Sequence, residues 1–196
     1  MKLVFATHNE NKLLEIRSIA PKYLDIISLK DIGFNQEIKE TAETLEGNAL
    51  IKVHALSSKF NQSCFSEDTG LEVRALNNAP GVYTARYAGE NCSSIDNIAK
   101  LLEEMKDSKD RFARFRTVIA LNINGVIKQF EGIVNGYIVH KPIWGEYGFG
   151  YDPIFQPEGE KRVFAQMKNS EKSAIDHRGK AFRKMLDHIN TLYSNK

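Results

Sequence analysis

Asn124-Gly125 divides the stretch from Phe112 to Phe130, and Asn-Gly is the strongest short signal for a hairpin. Both residues tolerate positive φ, so Phe112–Ile123 and Val126–Phe130 read as two strands of one tight hairpin. Ile133 to Val139 adds a third strand. Elsewhere strand and helix signals alternate. Leu3–Ala6 is a buried strand, and Leu13, Ile16 and Ala20 follow at helical spacing, with Pro21 as the stop. Leu24–Leu29 is a further strand. Leu45, Ala49, Val53, Leu56 and Phe60 mark a helix of about four turns. Ile95, Ile98, Leu102 and Met105 mark another. A last helical stretch starts near Asn169-Ser170 and carries Ala181, Phe182, Met185 and Ile189, with Gly179 dividing a short helix from a longer one. An antiparallel block inside an alternating strand–helix chain predicts a mixed sheet in an α/β fold. No repeat, linker or low-complexity tract breaks the 196 residues, so residues 1–196 are expected to form a single domain.

Four stretches concentrate chemistry. Phe65-Ser66-Glu67-Asp68-Thr69-Gly70 reads as a strand end carrying two carboxylates into a turn at Gly70, with Leu71–Leu76 as a second strand. Strand alternation sends Glu67 and Asp68 to opposite faces. One carboxylate can then hold Mg²⁺ or orient a water; an acidic turn beside a hairpin is the other reading, and the stretch taken alone favours it. Leu3–Ala6 runs into Thr7-His8-Asn9-Glu10-Asn11-Lys12 and then a helix. A helix N-terminus with such donors is an anion site, and Lys12 is ill placed for the helix dipole unless an anion sits there; a solvated lysine is the other reading. Glu40 is either a second metal carboxylate or a helper of the following helix, and Lys52 lies beside that helix's apolar stripe. Trp144–Phe155 alternates glycine with aromatics before Asp152-Pro153. It is either a ring-stacking loop or a packing loop. Lys172, His177, Arg178 and Lys180 gather charge near the C-terminus, where a lone histidine is ordinarily structural.

The net charge of +2 argues against a nucleic-acid or membrane-surface partner. Cys64 and Cys92 form no zinc or disulfide pattern, which fits a reducing compartment. The apolar run at Leu3 is too short for a signal peptide, and no 18-residue apolar segment occurs, so the expected location is cytoplasmic.

Taken in order, Thr7–Lys12, Glu67-Asp68-Thr69-Gly70-Leu71, Ala79–Tyr87, Phe149-Gly150-Tyr151-Asp152-Pro153-Ile154-Phe155 and Glu171–Gly179 resemble the inosine triphosphate pyrophosphatase family, also called Ham1-like. His8 departs from the pattern, where many members carry glycine. The resemblance implies an elongated mixed β-sheet flanked by helices, with two lobes around a central cleft. It implies Mg²⁺-dependent hydrolysis of dITP, ITP and XTP to monophosphate and pyrophosphate, by a homodimer that cleanses the nucleotide pool. It places the triphosphate on Thr7, Asn9 and Lys12 within the His8, Glu10 and Asn11 loop, with Lys52 as a further phosphate contact. Asp68 is implied as the catalytic acid and, with Glu40, as a metal ligand. Phe149, beside Gly150 and Tyr151, is implied to stack on the base; Asp152, Lys172, His177 and Arg178 line the nucleoside pocket, with Thr69 near the substrate. Arg178 and nearby backbone would donate to the 6-keto group that adenine lacks. A Maf-like pyrophosphatase and a nucleotide sensor without turnover are the competing expectations.

Overall fold

The computed structural model describes residues 1–60 and 62–194. Among these, the elements run β1 (Lys2–Phe5), α1 (Glu10–Ile19), β2 (Asp25–Ser28), α2 (Leu45–Ser57), β3 (Cys64–Val73), β4 (Pro80–Gly81), α3 (Ser94–Glu104), β5 (Phe112–Ile123), β6 (Val126–Ile138), β7 (Phe155–Pro157), α4 (Asn169–Ile175) and α5 (His177–Ser194). The sheet order is β2-β1-β3-β5-β6-β7, with β4 beside β3. β1 pairs in parallel with β2 and β3, whereas β4 and β7 pair antiparallel with β3 and β6. The sheet is therefore mixed, as the hairpin within an alternating chain requires.

Asn124 and Gly125 both have positive φ (52° and 84°), and the Asn122 carboxamide oxygen accepts from Gly125 N–H at 2.9 Å. Another glycine behaves differently from expectation. Gly70 makes no turn, because Cys64–Val73 is one strand buried almost throughout, and Leu71–Val73 continues it. The chain turns only after Val73, through a 3₁₀ turn at Arg74–Leu76 and left-handed Asn77 and Asn78. The expected strands Val126–Phe130 and Ile133–Val139 likewise form one strand, β6, in which positions 132, 134, 136 and 138 all face inward. At Gly136 a Cβ would lie 2.4 Å from the Gln156 carbonyl oxygen, so β7 requires glycine there. The break between the last two helices falls at extended Asp176, with Gly179 inside α5. In α3 the buried positions are Asn97, Ile98 and Leu101, followed by Met105 just past the helix; Leu102 is half-buried and Ile95 is exposed.

The chain divides into two compact units. The first, Met1–Asp68 with Thr117–Gly132 and Arg178–Lys196, has a core in which Leu3 and Phe5 of β1 and Phe65 of β3 meet Leu13 and Ile16 of α1 and Phe182 and Met185 of α5. Phe5 and Phe65 stack at 4.4 Å. The second, Thr69–Arg116 with Ile133–His177, packs Leu71 and Val73 with Leu101 of α3, Phe115 of β5 and Phe155 and Phe164.

Candidate active site

In the first unit β1 delivers the chain to the α1 N-terminus. Thr7 Oγ1 accepts from Asn9 N–H and Asn9 Oδ1 accepts from Lys12 N–H, both at 3.1 Å, so Asn9 is the N-cap. His8, Asn9, Glu10 and Asn11 are exposed. The His8 ring lies at 6.4 Å from the Phe34 ring, with Nε2 3.0 Å from the Gln36 carbonyl oxygen, which braces the loop where a glycine could not. Lys12 Nζ lies 3.2 Å from Glu67 Oε1, so the cation in the first helical turn has an anion of the protein itself as partner.

Glu67 and Asp68 take different partners, as alternation along β3 requires. Glu67 accepts from Arg178 Nε and Nη2 at 2.9–3.0 Å, and Arg178 Nη1 donates to Glu15. Burial would raise the Glu67 carboxyl, but the Arg178 and Lys12 charges outweigh it and hold it down at about 2. Asp68 Oδ2 accepts from Asn48 Nδ2 at 3.1 Å and Oδ1 from Lys52 Nζ at 3.4 Å. Lys52 Nζ also donates to Glu40 Oε1 at 3.0 Å. Burial lifts Asp68 above the usual carboxylate range; Lys52 and Lys12 oppose the lift, and the Glu40 charge adds to it. Glu40 is itself raised by burial, but Lys52 pulls it below its ordinary value.

The second unit holds the aromatic loop. Asp152 Oδ2 accepts from Lys172 Nζ at 2.6 Å and from Phe149 N–H at 2.8 Å. Lys172 Nζ also lies 5.0 Å from the centre of the Phe149 ring. Gly148 has φ +87°, and a Cβ there would stand 2.5 Å from Asp152 Oδ2. Gly150 also has positive φ, and buried Tyr151 donates its hydroxyl to the Thr84 carbonyl at 3.0 Å. His177 is buried and stacks on Phe115 at 4.7 Å. Thr69 is half-buried on β3.

The structure thus gathers Lys12, Glu40, Lys52, Glu67, Asp68 and Arg178 in one unit, and Phe149, Asp152, Lys172 and His177 in the other. Arg178, which the resemblance sets in the nucleoside pocket, bonds Glu67 and Glu15 through its guanidinium. Lys52 is buried rather than solvated. Asn48 and Glu15 carry no motif that singles them out in the sequence. Both are polar residues on core-facing helical stripes, next to Ala49 and Ile16, and that misfit is the available signal. Asn48 Oδ1 also accepts from Ala42 N–H at 2.9 Å, which ties the Glu40 segment to α2.

Among the described residues no cluster of three or more His, Cys, Asp or Glu side chains is suited to a metal ion. Glu40 and Asp68 nonetheless converge on Lys52 Nζ, and their hard oxygens suit a divalent metal, which commonly needs only one or two protein carboxylates beside substrate phosphates.

An α/β protein with a mixed sheet and a buried acid–lysine site is the class defined so far. The Ham1 family model matches residues 3–188, and the chain belongs to that family. It is 53% identical over 187 residues to a dITP/XTP pyrophosphatase of Flavobacterium psychrophilum, covering 95% of this chain and 98% of that one. A dITP/XTP pyrophosphatase of Christiangramia forsetii is 51% identical over 189 residues, covering 96% and 99%. The Staphylococcus aureus Ham1 protein superposes with a TM-score of 0.87 at 36% identity, covering 97% and 99%. No helix among the described residues is long and apolar enough to cross a membrane.

Proposed function

We propose that this chain hydrolyses non-standard purine nucleoside triphosphates (dITP, ITP and XTP) to the monophosphate and pyrophosphate, and so cleanses the nucleotide pool. The observation that carries the reading is buried Asp68, held by Asn48 and Lys52, in a chain 53% identical to a dITP/XTP pyrophosphatase. Water attacks the α-phosphorus, the bond to the α–β bridging oxygen breaks, and pyrophosphate leaves with the bond's electron pair. Asp68 takes the proton of the attacking water, and its raised affinity for protons suits that task. Thr7 and Asn9 position phosphate oxygens, within the loop that His8, Glu10 and Asn11 complete. Lys12 and Lys52 set positive charge against the triphosphate. Glu40 and Asp68 would hold Mg²⁺, which supplies charge neutralisation at phosphate oxygens when bound. Phe149 stacks on the purine, with Gly150, Tyr151, Asp152, Lys172 and His177 shaping its surroundings and Thr69 beside the substrate. Arg178 acts on the reaction through Glu67, as a positioning residue. The proposal includes residues 1–196 working as one domain, a homodimer and a cytoplasmic location.

The test is a ³¹P NMR product assay with dITP and Mg²⁺, run beside dATP and dGTP. Pyrophosphate with dIMP, little turnover of dATP or dGTP, and loss of turnover in Asp68→Asn are expected. Orthophosphate as first product, or dITP bound without turnover, would sink the reading.

A further inference from the structure

Lys52 stands where two carboxylates converge. Its ammonium is 3.0 Å from Glu40 Oε1 and 3.4 Å from Asp68 Oδ1, and its side chain is 8% exposed. Resting on the reading of Glu40 and Asp68 as the Mg²⁺ ligands, we propose that Lys52 is an exchangeable counter-cation. It holds the carboxylate pair together in the metal-free protein, leaves both oxygens when a divalent cation binds, and is then delivered to the phosphate.

Charge and reach carry this. The group sets four carboxylates (Glu15, Glu40, Glu67 and Asp68) against three cations (Lys12, Lys52 and Arg178). A divalent cation adds two positive charges beside these three. The added charge acts unequally on the three protein cations. Arg178 is fixed by a fork of hydrogen bonds to Glu67 and by Glu15. Lys12 is anchored on Glu67. Lys52 is bonded to the very oxygens the metal would take, through a point charge on a flexible four-carbon stem. Asn48 keeps Asp68 in place during the exchange, since its bond to Oδ2 does not involve Lys52. Lys52 then suppresses metal binding before substrate arrives and reinforces it afterwards, when its ammonium faces phosphate oxygens.

Two measurements without nucleotide turnover test this. Mn²⁺ binding is titrated by electron paramagnetic resonance in the wild type, Lys52→Met, Asp68→Asn and the double variant. Lys52→Met should bind Mn²⁺ about tenfold more tightly, as removal of a like charge a few ångströms away predicts, and both proteins carrying Asp68→Asn should lose the site. Independently of whether Lys52→Met folds, reductive methylation of the wild type, read by mass spectrometry, should label Lys52 severalfold faster with Mg²⁺ present and slower again once inorganic pyrophosphate is added. Unchanged or weaker Mn²⁺ binding in Lys52→Met, or a labelling rate indifferent to Mg²⁺, overturns the exchange while leaving the metal site standing if Asp68→Asn still abolishes binding. Mn²⁺ binding that ignores Asp68→Asn removes the metal reading and the exchange together.

Discussion

Glu67 is a fully buried carboxylate whose ionised form is favoured in the folded chain, since Arg178 and Lys12 outweigh the cost of burial. A folded value of about 2 against an ordinary 4.5 means that the folded protein binds the proton less readily than the unfolded chain. The resulting stabilisation is complete above pH 4.5 and is lost as pH falls towards 2. At about 1.4 kcal/mol per unit it amounts to about 3 kcal/mol. Urea unfolding between pH 5 and pH 3 should therefore lose stability more steeply in the wild type than in Glu67→Gln; equal slopes would take Glu67 out of the account. Arg178→Met should cost about 3–5 kcal/mol at neutral pH, because two buried carboxylates lose their shared cation. The denaturant midpoint reads this, and a loss below about 1 kcal/mol would put the pair in the class of solvent-exposed bridges. The thiols have no part in a mechanism based on water attack. Burial pushes Cys64 up to about 11, while Cys92 is half-buried. Iodoacetamide at pH 8 should label Cys92 before Cys64 and leave dITP turnover nearly intact; inactivation in step with labelling would contradict the mechanism.

The loop before the short 3₁₀ turn at Asp152–Ile154 shows how one element is held by one missing atom. Gly148 supplies a left-handed φ and makes room for Asp152, which grips both Phe149 N–H and Lys172. Gly148→Ala would push a methyl into that carboxylate and strain the backbone. The expected result is a KM for dITP raised about tenfold, the loss of some 1.4 kcal/mol of binding, with far-ultraviolet circular dichroism unchanged and kcat affected less. An unaltered KM would show that Phe149 placement is irrelevant to binding. Local devices of this kind are legible in the sequence. The Asn124-Gly125 turn and the Asn9 cap depend on residues within three positions of each other. Gly70 misleads because strand continuity is decided by neighbouring strands, not by the glycine. Glu15 and Asn48 stay hidden for a related reason. The partner that makes Glu15 tolerable in the core is Arg178, 163 residues away, and periodicity carries no record of such a pairing.

At the scale of the molecule, the two kinds of chemistry belong to different parts of the chain. Charged side chains suited to phosphates lie in the unit built from Met1–Asp68, Thr117–Gly132 and Arg178–Lys196, and the aromatic loop lies in the unit built from Thr69–Arg116 and Ile133–His177. A nucleotide can be cut into corresponding pieces, and each piece should then protect its own segments in hydrogen exchange. Inorganic tripolyphosphate with Mg²⁺ should slow exchange at the start of α1 and along α2, which carry Lys12, Asn48 and Lys52. Inosine should slow exchange in residues 148–154 and in α4, which carry Phe149, Asp152 and Lys172. Local opening limits exchange in such segments, so a ligand that binds only the closed form lowers the rate in proportion to its occupancy. dITP with the inactive Asp68→Asn protein should protect both sets, since retained binding without turnover is the condition under which the whole substrate can be observed. Tripolyphosphate protecting the aromatic loop, or inosine protecting α2, would show that the division of labour drawn from the side chains is wrong, even if dITP proves to be the substrate.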